Sequence, residues 1–173
     1  MNKEKNKLFL EFCSDFTNWI KEQSIQEHNN HIKISESTTL GKSMAYYRVY
    51  YTLQQQAEAF LIPLEILGFE DVHEKDFLSM EEIILPKSKC MDKLPLEYQE
   101  SIIYWMQDNM WVINTEIDDI YNKGKLDKYD QGQLDAYEEI LDYMEKKAEE
   151  LGFNLLDLSP KAVKEVRKKR MLK

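Results

Sequence analysis

The sequence predicts an all-α protein, a compact helical bundle of five or six helices, and three observations carry that prediction. Its 173 residues hold only five Gly and four Pro, and long runs free of both favour helices over a turn-rich β design. Within those runs apolar residues recur at steps of three and four, the period of one helix face. One amphipathic stretch is also written twice, as GKSMAYYRVYYTLQQQAEAF from Gly41 and GQLDAYEEILDYMEKKAE from Gly132. The identical pairs are Gly41/Gly132, Ala45/Ala136, Tyr46/Tyr137, Ala57/Ala148 and Glu58/Glu149, with Val49/Ile140 and Leu53/Met144 conservative. The length suits one ordinary domain that needs no disulfide or metal staple. We read residues 1–158 as that domain and 159–173 as a basic C-terminal helix or tail.

The first helix is expected from about Glu4 to Glu27, with Leu8, Phe9, Phe12, Phe16, Trp19 and Ile20 on one face. The polar stretch EHNNHIKISESTT then breaks the period, which places His28 and His31 in a helix end or loop. Ser37, Thr38 or Thr39 is expected to cap the first repeat helix, whose buried line is Ala45, Val49, Leu53, Ala57 and Phe60. Pro63 ends or bends that helix and Gly68 supplies a stop. Ser79 with Glu82 reads as a capping box for a short helix closed by Pro86. Asp92 and Pro95 are expected to open the longest helix, to about Lys123, with Ile102, Ile103, Met106, Met110, Ile113, Ile117 and Ile120 inside. The second repeat helix, from about Tyr129 to Leu151, buries Tyr137, Leu141, Met144, Ala148 and Leu151. Gly152 followed by Phe153 suits a left-handed cap with an apolar clasp.

The formal charge of −9 argues against a nucleic-acid partner, since neutralising phosphates needs a basic footprint. The balance is uneven: Lys161 to Lys173 holds seven basic residues and one acidic residue, so the rest is far more acidic than the total implies. Cys13 and Cys90 are too few and too widely spaced for a disulfide framework or zinc knuckle and read as reduced core thiols. The segment MNKEKNK leads straight into amphipathic sequence without an apolar leader, so a soluble, cytoplasmic protein with no membrane partner is expected.

Rings and acids supply the candidate sites. Tyr47 and Tyr51 lie off the buried line of the first repeat helix, and their equivalents in the second are Glu138 and Asp142. Either another element of the chain covers these two rings, or they form a recognition surface. Tyr104 and Trp111, seven residues apart, fall opposite the main apolar face of the long helix. Tyr47, Tyr51, Tyr104 and Trp111 are therefore the candidate binding residues. No Gly-rich phosphate loop, G-x-S-x-G elbow or H-E-x-x-H is found. Glu70 and His73 form a single E-x-x-H, whereas di-iron bundles need two such pairs and two further glutamates. No cofactor is expected.

Glu138, Glu139 and Asp142 give E-E-x-x-D on one helix, and Glu116 with Asp119 gives E-x-x-D on another. This resembles the acidic motifs of the MazG and dimeric dUTPase superfamily, with the two motifs in reversed order. The resemblance implies an all-α, Mg²⁺-dependent nucleotide pyrophosphohydrolase as an alternative. The acidic, Tyr-rich helical style, with Gly-x-x-x-Ala-Tyr in GQLDAYEEILDYM, resembles small accessory proteins of phages and phage-related pathogenicity islands of low-GC Gram-positive bacteria. That resemblance implies a non-enzymatic modulator or inhibitor that binds a phage or host protein, and it is the reading we carry forward. A homodimer through the aromatic stripes and an acidic mimic of nucleic acid stand as further alternatives.

Overall fold

A computed structural model describes residues 3–87, 89–90 and 94–154, and all regular structure among them is helical. The elements are α1 (Lys3–Ile34), α2 (Ser37–Ala59), the single turn α3 (Glu74–Phe77), α4 (Gln99–Asn122) and α5 (Lys128–Glu150), with a 3₁₀ turn at Leu96–Tyr98 before α4. The expected C-terminal helix at 159–173 lies outside the described residues.

The written repeat becomes the axis of the fold. The offset that separates Gly41 from Gly132 also separates Ser37 from Lys128 and Ala59 from Glu150, so α2 and α5 are equal in length and in register. They cross at their glycines. A Cβ built on Gly41 would stand 2.1 Å from the Tyr129 carbonyl oxygen, and one on Gly132 would stand 2.1 Å from that of Thr38. Tyr129 and Thr38 each lie three residues before the glycine of their own helix, so the two backbones meet about an approximate two-fold axis. Only residues without a Cβ permit that approach. From each copy one line turns inward: Ala45, Val49, Leu53 and Ala57, answered by Ala136, Ile140, Met144 and Ala148, all buried. Phe60 and Leu151, expected at the ends of these lines, are only partly buried.

Around this pair, α1 contributes Phe9, Phe12, Phe16 and Ile20, and α4 contributes Ile102, Trp105, Met106, Met110, Ile113, Ile117 and Ile120. Trp105 buries its ring completely and satisfies its indole N–H on the Leu53 carbonyl at 2.9 Å. After α5, Gly152 at φ 77° lets Phe153 turn back onto Phe12, with ring centroids 5.5 Å apart and an interplanar angle of 85°. The expected clasp therefore ties the end of α5 to α1.

Four local expectations are corrected. The first helix does not stop near Glu27: α1 runs to Ile34 and includes His28 and His31. Its last turns are fixed by residues distant in sequence. The His28 imidazole nitrogen Nε2 lies 3.1 Å from the Glu81 carbonyl, and Phe77 meets the ring edge-on. The Asn29 amide donates to the Ile83 carbonyl at 2.9 Å and accepts the Ile83 N–H at 2.8 Å. Second, the residue before α2 is Glu36, whose N–H is taken by the Thr39 hydroxyl at 3.2 Å. Third, the short helix lies at Glu74–Phe77 and not between Ser79 and Pro86; the Asp76 carboxylate accepts the His73 N–H, while the Ser79 hydroxyl bonds back to the Asp76 carbonyl. Ser79 thus closes a turn where a helix start was expected. Fourth, α4 begins at Gln99, because Pro95 opens a 3₁₀ turn that takes the Tyr98 N–H at 3.1 Å. At 32 residues α1, not α4, is the longest helix, and Asp92 lies outside the described residues.

The connection from α2 to α4 buries Ile62, Leu67, Phe69 and Val72 in the core and is also tied down by buried polar side chains. Lys21 donates its ammonium to the Gly68 carbonyl at 2.6 Å, and Gln54 donates to the carbonyls of Phe69 and Val72. Burial lowers the Lys21 pKa, opposed by the nearby charges of Glu70 and Asp71. Cys13 and Cys90 are buried free thiols, and burial raises both above the usual thiol value.

Candidate protein-binding surface

The four nominated rings fall into two environments. Tyr47 is only 9% exposed: its ring lies 5.4 Å from Phe77 and 5.8 Å from Tyr51, and its hydroxyl donates to Glu74 at 3.0 Å. Burial, and then the hydrogen bond to Glu74, push its pKa up to about 12. Tyr51 is partly buried against the same cluster. The aromatic side of α2 is therefore largely covered from within the chain by α3 and the residues around it. Tyr104 and Trp111 remain open, at 59% and 61% exposure.

Their position follows from the pattern of α4. Its apolar residues line the inward face, and two full turns separate Tyr104 from Trp111, about 10.5 Å along the axis. At 100° per residue, Glu100, Asp108 and Asp119 fall within about 60° of the Tyr104 direction, and all three are exposed. The helix sequence QESIIYWMQDNMWVINTEIDDIYN contains no Lys, Arg or His. The outer side of α4 is consequently a ridge of two large rings set among carboxylates.

No protein family, curated protein or solved structure is found to match this chain.

The acids nominated for a metal site are otherwise engaged or apart. Glu116 takes the Arg48 guanidinium at 3.0 Å and the Tyr137 hydroxyl at 3.4 Å. Burial alone would lower the Arg48 pKa, but Glu116 beside it carries the balance upward. Glu139 takes Lys42 at 2.9 Å and the Tyr46 hydroxyl at 2.9 Å. Burial, reinforced by Glu139, raises the Tyr46 pKa well above the ordinary phenol value. These two clusters are related by the approximate two-fold, since Tyr46 and Tyr137 are equivalent, as are Arg48 and Glu139. Asp119, Glu138 and Asp142 do not join Glu116 and Glu139 in a ligand set: no group of three or more His, Cys, Asp or Glu that could hold a metal occurs among the described residues. A cavity of about 20 Å³ between α2, α4 and α5 is lined by Arg48, Thr52, Asn109, Glu116 and Tyr137, with room for about one water molecule. Asn109 presents an unpartnered buried amide oxygen.

Two features escape sequence reasoning. Leu78, Met80, Ile84 and Leu85 are exposed on the connection that Asn29 and His28 fix against α1. Read as a helix, that segment would have turned part of this apolar set inward. The Lys42–Glu139 and Arg48–Glu116 pairs join residues far apart in the chain and leave no local signal. No helix among the described residues is long and apolar enough to cross a membrane.

Proposed function

We propose that the protein works by binding another protein through the outer ridge of α4, as a non-enzymatic modulator or inhibitor. The observation that carries this reading is the exposure of Tyr104 and Trp111 two turns apart on one helix whose opposite face is sealed in the core. Large rings bury much area at small conformational cost and dominate binding energy where they are found in interfaces. The acidic surface of the chain adds long-range steering toward a basic partner. The resemblance to phage and pathogenicity-island accessory proteins makes a phage or host protein the partner to seek.

The test is quantitative affinity capture from phage and host lysates, with wild-type chain and a Tyr104→Ala, Trp111→Ala double variant side by side. Loss of a hot-spot ring costs about 2 kcal/mol or more, so the partner should be strongly depleted with the double variant. Equal recovery by the two forms removes the ridge from the proposal.

A further inference from the structure

The chemistry of the partner follows from what stands beside the two rings. Asp108 lies one turn from Tyr104 and falls between it and Trp111, with Glu100 and Asp119 on the same side of α4 at either end. These three carboxylates are exposed and form no ion pair with any described residue. No base on α4 itself balances them. A neutral apolar surface laid on the rings would strip water from the acids and leave them unpaired, which is unfavourable. An acidic partner would be repelled. Cations satisfy both components: they are attracted to the faces of Trp and Tyr and to the carboxylates beside them. Arginine fits best, because its planar guanidinium stacks on a ring and forks onto a carboxylate in one geometry.

We infer that the α4 ridge receives an arginine- or lysine-bearing segment of a partner protein, whose cations stack on Tyr104 and Trp111 and pair with Glu100, Asp108 and Asp119. This rests on the reading of α4 as the docking face and names the chemistry of what docks there. The rings are about 10.5 Å apart along the axis, so the matching cations stand two turns apart on a helix.

The probe is a labelled helical peptide with arginines two turns apart, titrated into the full chain at low salt beside the same peptide with glutamine in place of arginine. The arginine peptide should bind. Its affinity should fall about tenfold with Trp111→Ala, and similarly with Asp108→Asn combined with Asp119→Asn, a loss in the range of one desolvated cation–π or charge-assisted contact. Glu58→Gln on α2 combined with Glu149→Gln on α5, which changes the net charge equally to the double aspartate variant, should leave it unchanged. Circular dichroism and urea unfolding of each variant establish that the fold is retained. Failure of the arginine peptide to bind, or binding indifferent to Trp111, overturns the inference. Trp111-dependent binding of the glutamine peptide at equal strength also overturns it while leaving α4 as the docking face, so the two readings fail separately.

Discussion

Replacing Gly41 by alanine tests the crossing on which the fold is built. In an ordinary helix interior this change stabilises by about 0.5–1 kcal/mol, because alanine is the better helix former and restricts the unfolded chain. Here the new methyl carbon would lie 2.1 Å from the Tyr129 carbonyl oxygen, 2.9 Å from its carbon and 3.2 Å from the Gln133 nitrogen, where ordinary contact begins at 3.4 Å. All three neighbours are backbone atoms, so no side-chain rotation relieves the overlap. The helices must separate by more than about 1 Å, loosening Ala45, Val49 and Leu53 against α5, and overpacking of this kind costs about 1–3 kcal/mol. With a rigid neighbour the upper part of that range applies, and the net loss after the propensity gain is about 2 kcal/mol. Gly132→Ala meets the Thr38 carbonyl in the same geometry and should cost a similar amount. The double variant should lose clearly less than the sum, because the first methyl has already parted the helices and the sites share one interface. Urea unfolding, with transition midpoint and slope determined for all four proteins, measures this. A neutral or stabilising Gly41→Ala, or strict additivity in the double variant, refutes the close two-fold crossing.

Other expectations follow from the same contacts. Trp105→Ala should cost about 3–5 kcal/mol because the ring is wholly buried, whereas Trp111→Ala should stay within about 0.5 kcal/mol; thermal unfolding separates them, and comparable losses would show that Trp111 is not a surface residue. Asn29→Ala removes both hydrogen bonds to Ile83 and should speed amide exchange at Ile83 markedly, at a cost of about 1–2 kcal/mol; unchanged protection there contradicts the clamp. Burial, and then the hydrogen bond to Glu74, push the Tyr47 phenol from 10.0 up to about 12. The native state then holds this proton where the unfolded chain has lost it, so the contribution to stability is complete below pH 10 and is lost as pH rises toward 12. Tyr47→Phe should flatten that alkaline decline in the urea midpoint, and an identical slope in both proteins would contradict the burial of Tyr47.

Much of the fold was legible because it is periodic. The inward lines of α2, α4 and α5 and the paired glycines follow from residue spacing, and the Gly152–Phe153 clasp follows from local backbone chemistry. The corrected elements depend on distant partners. The last turns of α1 look polar and terminal in sequence, but His28 and Asn29 bond to Glu81 and Ile83. Ser79 and Glu82 match a helix-start pattern, yet Asp76 had already used the local donors to close a turn three residues earlier. The candidate surface shows the same division. Helical phase separates Tyr104 and Trp111 from the core face, but nothing local announces that Phe77 and Glu74 cover Tyr47 while no described residue does as much for Trp111.

The near-equivalence of α2 and α5 has an implication for shortened forms of this chain. The groove that α5 fills on α2 is shaped by small residues that α2 itself carries at matching places, so a second α2 could enter it from the opposite direction. A polypeptide cut within the long connection before α4 would leave that groove vacant. Two such fragments have the means to close it on each other, replacing a contact within one chain by a symmetric contact between two.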